Sequence, residues 1–193
     1  HNHGDGDPTA WIPGAVLDAQ ISIPPVLGRF LSEVDDLQPS HIIDLGCGPG
    51  VGTLELAAQF PEASISALDI NQSALDAASG RADREGFADR TSFVQADFDA
   101  DFSTSVTSAD LLWASMSLHH TIDPAAALAN ACKTLAPGGR IALAEFGPPV
   151  NMWPPTADIV TSGTWERFQA ALAEGLADHL GPASTNVQWL DRP

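Results

Sequence analysis

Seven residues, Asp44-Leu-Gly-Cys-Gly-Pro-Gly50, follow a short apolar run and precede a helical pattern. Glycines in that setting allow backbone angles and a closeness of ligand approach that any Cβ would obstruct, and they bring main-chain N–H groups against a polar ligand. The spacing is G-x-G-x-G at Gly46, Gly48 and Gly50, whereas the dinucleotide fingerprint G-x-G-x-x-G would require glycine at Val51 or Thr53. No G-K-[ST] follows, so a nucleoside-triphosphate loop is excluded. The competing reading is a glycine turn without chemical consequence. Asp69 closes the next apolar run, where a carboxylate can accept hydrogen bonds from both ribose hydroxyls of a nucleoside; it could instead be an acid stabilised by a helix N-terminus. Asp97 could accept from an adenine amine, with Ile70 and Phe98 flanking the ring, or could belong with Asp99 and Asp101 to a solvated acidic turn. His119 and His120, just beyond the carboxyl end of a central strand, are the candidates for removing a proton, because imidazole is the side chain suited to that task near neutral pH; the alternative is that they shape the entry to the following helix. Two histidines with no obvious third ligand do not make a metal site, and none is expected.

These residues sit where an alternating chain would position them. Ile42-Ile-Asp-Leu45, Ser64-Ile-Ser-Ala-Leu68, Thr91-Ser-Phe-Val-Gln95, Asp110-Leu-Leu-Trp-Ala114 and Arg140-Ile-Ala-Leu-Ala144 read as strands. Between them Leu54 to Ala58, Ser73 to Gly86 and Asp123 to Leu135 read as helices, with Asn71 or Ser73 capping the second, Pro124 in the first turn of the third, and Pro137-Gly-Gly139 ending it. Strongly apolar strands alternating with helices predict an α/β fold, a doubly wound and mostly parallel sheet covered on both faces. Ahead of it, residues 1–10 read as a mobile lead-in, and residues 11–38 as a helical cover in two segments broken at Ser22-Ile-Pro-Pro25. Trp11, Ile12, Leu17, Ile21 and Leu27 there could form a lid over a pocket or simply pack on the sheet. The α/β core is expected over 39–146. Residues 147–193, on the substrate side, read as a loop, a helix from Thr164 to Leu180, and one last strand or an extended tail at Asn186 to Leu190. Met152, Trp153, Trp165 and Phe168 could line an acceptor pocket or be ordinary core.

The 193 residues suit one domain with a sizeable core. A formal net charge of −17 repels phosphate backbones and anionic headgroups, so neither nucleic acid nor a membrane surface is an expected partner. No apolar run is long enough to span a bilayer and the first residues have no secretory-signal pattern, so the cytosol is the expected compartment. A first residue of His rather than Met suggests something other than the primary translation product. Cys47 and Cys132 read as reduced thiols.

Taken together, Ile42-Ile-Asp-Leu-Gly-Cys-Gly-Pro-Gly50, Ala67-Leu-Asp-Ile70, Gln95-Ala-Asp-Phe98, Ala109-Asp-Leu-Leu-Trp-Ala-Ser-Met-Ser-Leu-His-His120 and Leu135-Ala-Pro-Gly-Gly-Arg-Ile141 resemble the successive motifs of class I S-adenosylmethionine-dependent methyltransferases. They stand in the family's order over residues 40 to 146, and most resemble the small-molecule branch, where Leu-His-His after the fourth strand is frequent. The resemblance implies a Rossmann-like methyltransferase fold and S-adenosyl-L-methionine as cofactor, with S-adenosyl-L-homocysteine as product. It implies that the loop with Asp44, Gly46, Cys47, Gly48 and Gly50 holds the methionine part, Asp69 the ribose, and Ile70, Asp97 and Phe98 the adenine, with Ala114 also at the cofactor. The family's sheet has seven strands, the last two a hairpin. Only 47 residues follow Phe146, so the chain is incomplete, lacks internal residues, or relies on a partner copy to cover the exposed edge, and a homodimer is an expected arrangement.

The expected activity is in-line methyl transfer to a small-molecule acceptor at oxygen, carbon or nitrogen. Nucleic-acid methylation is disfavoured by the charge and by Ser115-Met-Ser-Leu118 standing where an Asn/Asp-Pro-Pro-aromatic tetrad would be. The alternative is a catalytically inactive cofactor-binding regulatory or assembly protein. A nicotinamide dehydrogenase is contradicted by the glycine spacing.

Overall fold

The computed structural model describes residues 7, 9–33 and 36–145. The chain divides into two units, His1–Glu145 and Phe146–Pro193, and the second lies outside the described residues. With it lie the expected C-terminal helix, the last strand or extended tail at Asn186 to Leu190, and Met152, Trp153, Trp165 and Phe168.

Strands β1 (His41–Leu45), β2 (Ser64–Asp69), β3 (Thr91–Gln95), β4 (Ala109–Ser115) and β5 (Leu135–Ala144) form one sheet in the order β3-β2-β1-β4-β5. Every pairing is parallel. Helices α1 (Ile12–Glu33), α2 (Val51–Gln59), α3 (Gln72–Glu85) and α4 (Pro124–Cys132) complete the described elements, with short 3₁₀ turns at Ala88–Arg90 and Leu118–His120. This is the doubly wound α/β architecture expected from the alternation. From β1 the chain winds outward through β2 and β3, then returns to place β4 on the other side of β1. The strand order therefore reverses between β1 and β4, and ligands in such sheets bind beyond the strand ends at that reversal.

Side-chain alternation divides the core between the two faces. Ile43, Leu45, Leu112 and Ala114 pack with Ala127 and Ala131 of α4. Ile42, Ile65, Leu111 and Trp113 point the other way, against Leu56 and Ala57 of α2 and Leu27 of α1. Asn71 caps α3, its side chain accepting from the Ser73 and Ala74 amides at 2.9 and 3.4 Å, and Gly86 closes that helix at φ 80°. Arg90 donates to the carbonyls of Ala57, Phe60 and Ala63 at the end of α2, satisfying acceptors a helix end leaves unpaired.

Two local expectations are corrected. The Pro24–Pro25 pair does not break the front segment: α1 is continuous from Ile12 to Glu33. The carbonyls those prolines leave unbonded belong to Gln20 and Ile21, on exposed residues where water can satisfy them, while Leu27 and Phe30 gain a buried seat against Trp113. Along the first half of α1, Leu17 and Ile21 are exposed. Pro137-Gly-Gly139 likewise does not end a helix. Helix α4 stops at Cys132, and these residues lie in β5, where the register jumps from Ala109↔Leu135 to Leu111↔Arg140. The extra residues form a bulge, with Gly138 at φ +84°.

Candidate functional site

The loop between β1 and α2 is fixed to β2 through main-chain bonds. The Gly46 and Cys47 amides both donate to the Leu68 carbonyl, at 2.8 and 2.9 Å, and the Gly48 amide donates to Asp69 Oδ2 at 2.9 Å. Gly46, Gly48 and Gly50 all have positive φ, at 73°, 51° and 85°, a region in which a Cβ is strained. Space adds a second requirement at two of them. A Cβ on Gly46 would come within 2.3 Å of Ser117 Cβ, and one on Gly50 within 2.7 Å of Ala78 Cβ. Around Gly48 no atom stands within 4 Å of that position, so the loop is open there.

Asp69 is half-buried at the end of β2. Its Oδ2 takes the Gly48 amide and its Oδ1 the Asn71 amide at 2.8 Å. Each carboxylate oxygen keeps acceptor capacity beyond one such bond, so the group is oriented by backbone yet can accept two hydroxyls. Ile70 beside it is exposed. Beyond β3, Asp97 is exposed, with Oδ1 accepting the Asp99 amide at 2.9 Å, and Phe98 packs partly into the core against Phe102 at 5.6 Å between ring centroids.

The structure buries three of the expected cofactor residues more deeply. Asp44 is only 2 % exposed, under the loop, with Oδ2 accepting the Thr53 hydroxyl at 2.6 Å. Burial pushes its pKa up to about 7, against the Thr53 hydrogen bond, with the Asp69 charge adding to the rise. Cys47 is buried as well; burial first, then the nearby Asp44 and Asp69, raise its thiol well above the ordinary value. Ala114 lies fully buried, paired with Leu45 on one side and Leu143 on the other.

On the β4–β5 side, Met116 takes φ 55°, unusual for a residue with a side chain, and its amide bonds the Ala144 carbonyl at 2.7 Å. The buried Ser117 hydroxyl, which would lie 3.1 Å from a Cβ on Gly46, has no hydrogen-bond partner among the described residues. His119 and His120 follow in the 3₁₀ turn, their rings 4.1 Å apart. His119 is largely enclosed, and its Nδ1 meets Glu145 Oε2 at 2.7 Å. The other oxygen of Glu145 accepts the Ser117 and Leu118 amides at 3.0 and 2.8 Å. Burial acts to raise the Glu145 pKa, but the bonds from His119, Leu118 and Ser117 together outweigh it and hold the carboxyl below its ordinary range. An ionised carboxylate only accepts, so Nδ1 carries the ring proton and Nε2 is the basic nitrogen of neutral His119.

Glu145 was not among the residues expected from the sequence. Its position one residue past the fifth strand was the available signal, because strand ends collect at the crevice. Among the described residues no group of three or more His, Cys, Asp or Glu could hold a metal ion, and no helix is long and apolar enough to cross a membrane.

An open parallel sheet with a glycine loop and an acid-ended second strand at its reversal point defines a Rossmann-like fold. A family model described as a methyltransferase domain matches residues 38–176, and the chain belongs to that family, the class I S-adenosylmethionine-dependent methyltransferases. It is 34% identical over 162 residues to trans-aconitate 2-methyltransferase of Methylobacterium radiotolerans, covering 81% of this chain and 58% of that protein. It is 35% identical over 120 residues to malonyl-[acyl-carrier protein] O-methyltransferase of Dechloromonas aromatica, covering 62% of this chain and 42% of that one. The chain thus spans about half the length of these curated relatives. Among solved structures, a candidate S-adenosyl-L-methionine-dependent methyltransferase from Methanococcus maripaludis superposes with a TM-score of 0.60 at 23% identity, over 68% of this chain and 61% of that one. At that identity the likeness shows the fold.

The cofactor this family uses fits the residues present. The open space at Gly48 and the remaining acceptor capacity of Asp69, joined through the Gly48 amide, suit a nucleoside with a polar tail, while the Ser117 hydroxyl, unpartnered among the described residues, is buried beside Gly46.

Proposed function

We propose that this protein transfers a methyl group from S-adenosyl-L-methionine to a small-molecule acceptor. The observation that carries this reading is the tie between the Gly48 amide and Asp69, which joins the glycine loop and the ribose-type carboxylate in one preset unit. In this reading Gly46 to Gly50 hold the methionine end, Asp69 accepts from the ribose hydroxyls, and Asp97 with Ile70 and Phe98 borders the adenine. Asp44, too buried to face a ligand broadly, supports the loop from below. When bound, the cofactor supplies a methyl group on a positively charged sulfur, so little electrophilic help is needed and alignment dominates. Well-oriented reactants gain about 7–11 kcal/mol from alignment, against about 10²–10⁴-fold from a general base.

His119 is the base for an acceptor that must lose a proton. Glu145 fixes the ring through Nδ1, and Nε2 takes the proton. His120, exposed beside it, shapes the wall of the acceptor side. The relatives named for trans-aconitate and malonyl-[acyl-carrier protein], together with the net charge of −17, support a small acceptor over a nucleic acid.

Calorimetric titration of S-adenosyl-L-methionine, S-adenosyl-L-homocysteine and NADH tests the cofactor. Binding of the first two alone is expected, and binding of NADH alone would refute the reading. A tritiated-methyl screen over small metabolites then separates an active enzyme, which labels an acceptor, from an inactive binding protein, which labels none.

A further inference from the structure

The turn bearing His119 and His120 is held from a second direction. Asp99, in the segment after β3, receives the Ile122 amide on both carboxylate oxygens, Oδ1 at 2.9 Å and Oδ2 at 3.1 Å, and the Asp123 amide at 3.5 Å. That carboxylate lies two residues beyond Asp97, whose own Oδ1 accepts the Asp99 amide. Farther along the same segment, the Ala100 carbonyl meets Asn130 Nδ2 at 3.4 Å and Asp101 meets Lys133 Nζ at 3.1 Å, both contacts to α4 or just past it. Of these contacts, only those of Asp99 reach the stretch between His120 and α4.

Apolar packing does not fix that stretch, because the Ile122 side chain is 86 % exposed. A neutral surface hydrogen bond would hold it weakly, since water competes for the same groups. A carboxylate accepting main-chain amides is stronger, and both of its oxygens here converge on one N–H. Phe98, pinned against Phe102, keeps the backbone of the Asp97–Asp99 segment anchored to the core while its carboxylates face outward.

We propose that Asp99 is a positioning residue that couples the two rims of the crevice: a nucleoside settling against Asp97 orders the Asp97–Asp99 segment, and the Asp99 carboxylate passes that order to Ile122 and the His119–His120 turn. The proposal rests on the cofactor reading above and adds to it a link between cofactor and acceptor sides. No large displacement is required. A ligand that stiffens one segment lowers the ordering cost of whatever is bonded to it.

Hydrogen exchange on the full chain tests this, with S-adenosyl-L-homocysteine as the probe. In the unaltered protein the probe slows exchange in two segments, Gly46–Gly50 and Leu118–Asp123, the second by about tenfold. In Asp99→Ala the first slowing remains and the second is lost. Asp99→Asn, with a single acceptor oxygen, restores part of it and carries the comparison if the alanine variant folds poorly. A residue that served stability alone would speed exchange equally with and without the probe, leaving the probe-dependent difference at Leu118–Asp123 unchanged, and that result overturns the coupling. If the probe slows neither segment in the unaltered protein, the cofactor reading falls and takes the coupling with it. Slowing at Gly46–Gly50 without slowing at Leu118–Asp123 overturns the coupling alone.

Discussion

On the β1–β2 side of the crevice the polar groups are main-chain amides set by glycine conformations and collected onto one carbonyl and one carboxylate. On the β4–β5 side distant carboxylates do the holding: Glu145 holds the His119 ring, and Asp99 the main chain of the turn after it. The first kind of site is written into backbone geometry and tolerates little change at its glycines. The second depends on contacts between residues far apart in sequence, 26 positions for His119 and Glu145 and 23 for Ile122 and Asp99. It can be retuned one side chain at a time, which suits a cofactor held constant and an acceptor that varies.

The sharpest way to break this contrast lies within the glycine loop. Gly46→Ala combines a left-handed φ with a Cβ 2.3 Å from that of Ser117, and should cost on the order of 3 kcal/mol in urea unfolding. Gly48→Ala meets no neighbour and should cost about 1 kcal/mol while still impairing cofactor binding. Equal losses would show that crowding by Ser117 plays no part. Next in size is the pH dependence of Asp44. Its folded pKa of about 7 stands above the ordinary value near 3.8, so the folded state holds the extra proton and stability falls as pH rises from about 4 through about 7. Asp44→Asn should remove that fall, worth a few kcal/mol, and urea midpoints collected across the range would reveal a persisting slope if burial is not its cause.

Asp69→Ala should weaken S-adenosyl-L-homocysteine binding on the order of 100-fold by calorimetry, since a bidentate charged acceptor is lost. Unchanged affinity would remove the ribose role. Effects on the other side are read in the rate. His119→Ala should lower kcat about 10²-fold with an acceptor that loses a proton, and Glu145→Gln about tenfold with cofactor affinity kept. If both leave the rate within a few-fold, alignment alone drives transfer and the β4–β5 side only shapes the pocket.

The same contrast explains what could be read in advance. Strands such as Thr91–Gln95 and the loop at Gly46–Gly50 follow from local pattern, because apolar runs and glycine spacing are properties of neighbouring residues. The continuous α1 did not follow, since burial of Leu27 and Phe30 against Trp113, more than 80 residues away, overrides the two prolines. Nor did the bulge at Pro137–Gly139, whose local signature is that of a helix stop. Glu145 and the bracing role of Asp99 were hidden for the same reason: Asp97, Asp99 and Asp101 look alike as a string of acids, and only the fold brings one of them to the Ile122 amide.

Helix α3 presses its fully buried Ala78 so closely on Gly50 that a Cβ at position 50 would come within 2.7 Å of the alanine's own. A library built on this protein to test the proposed acceptor side should therefore leave residue 78 out, although it belongs to no proposed binding surface. Enlarging it would unseat the loop from behind, and the resulting loss of activity would be mistaken for a failure of acceptor recognition.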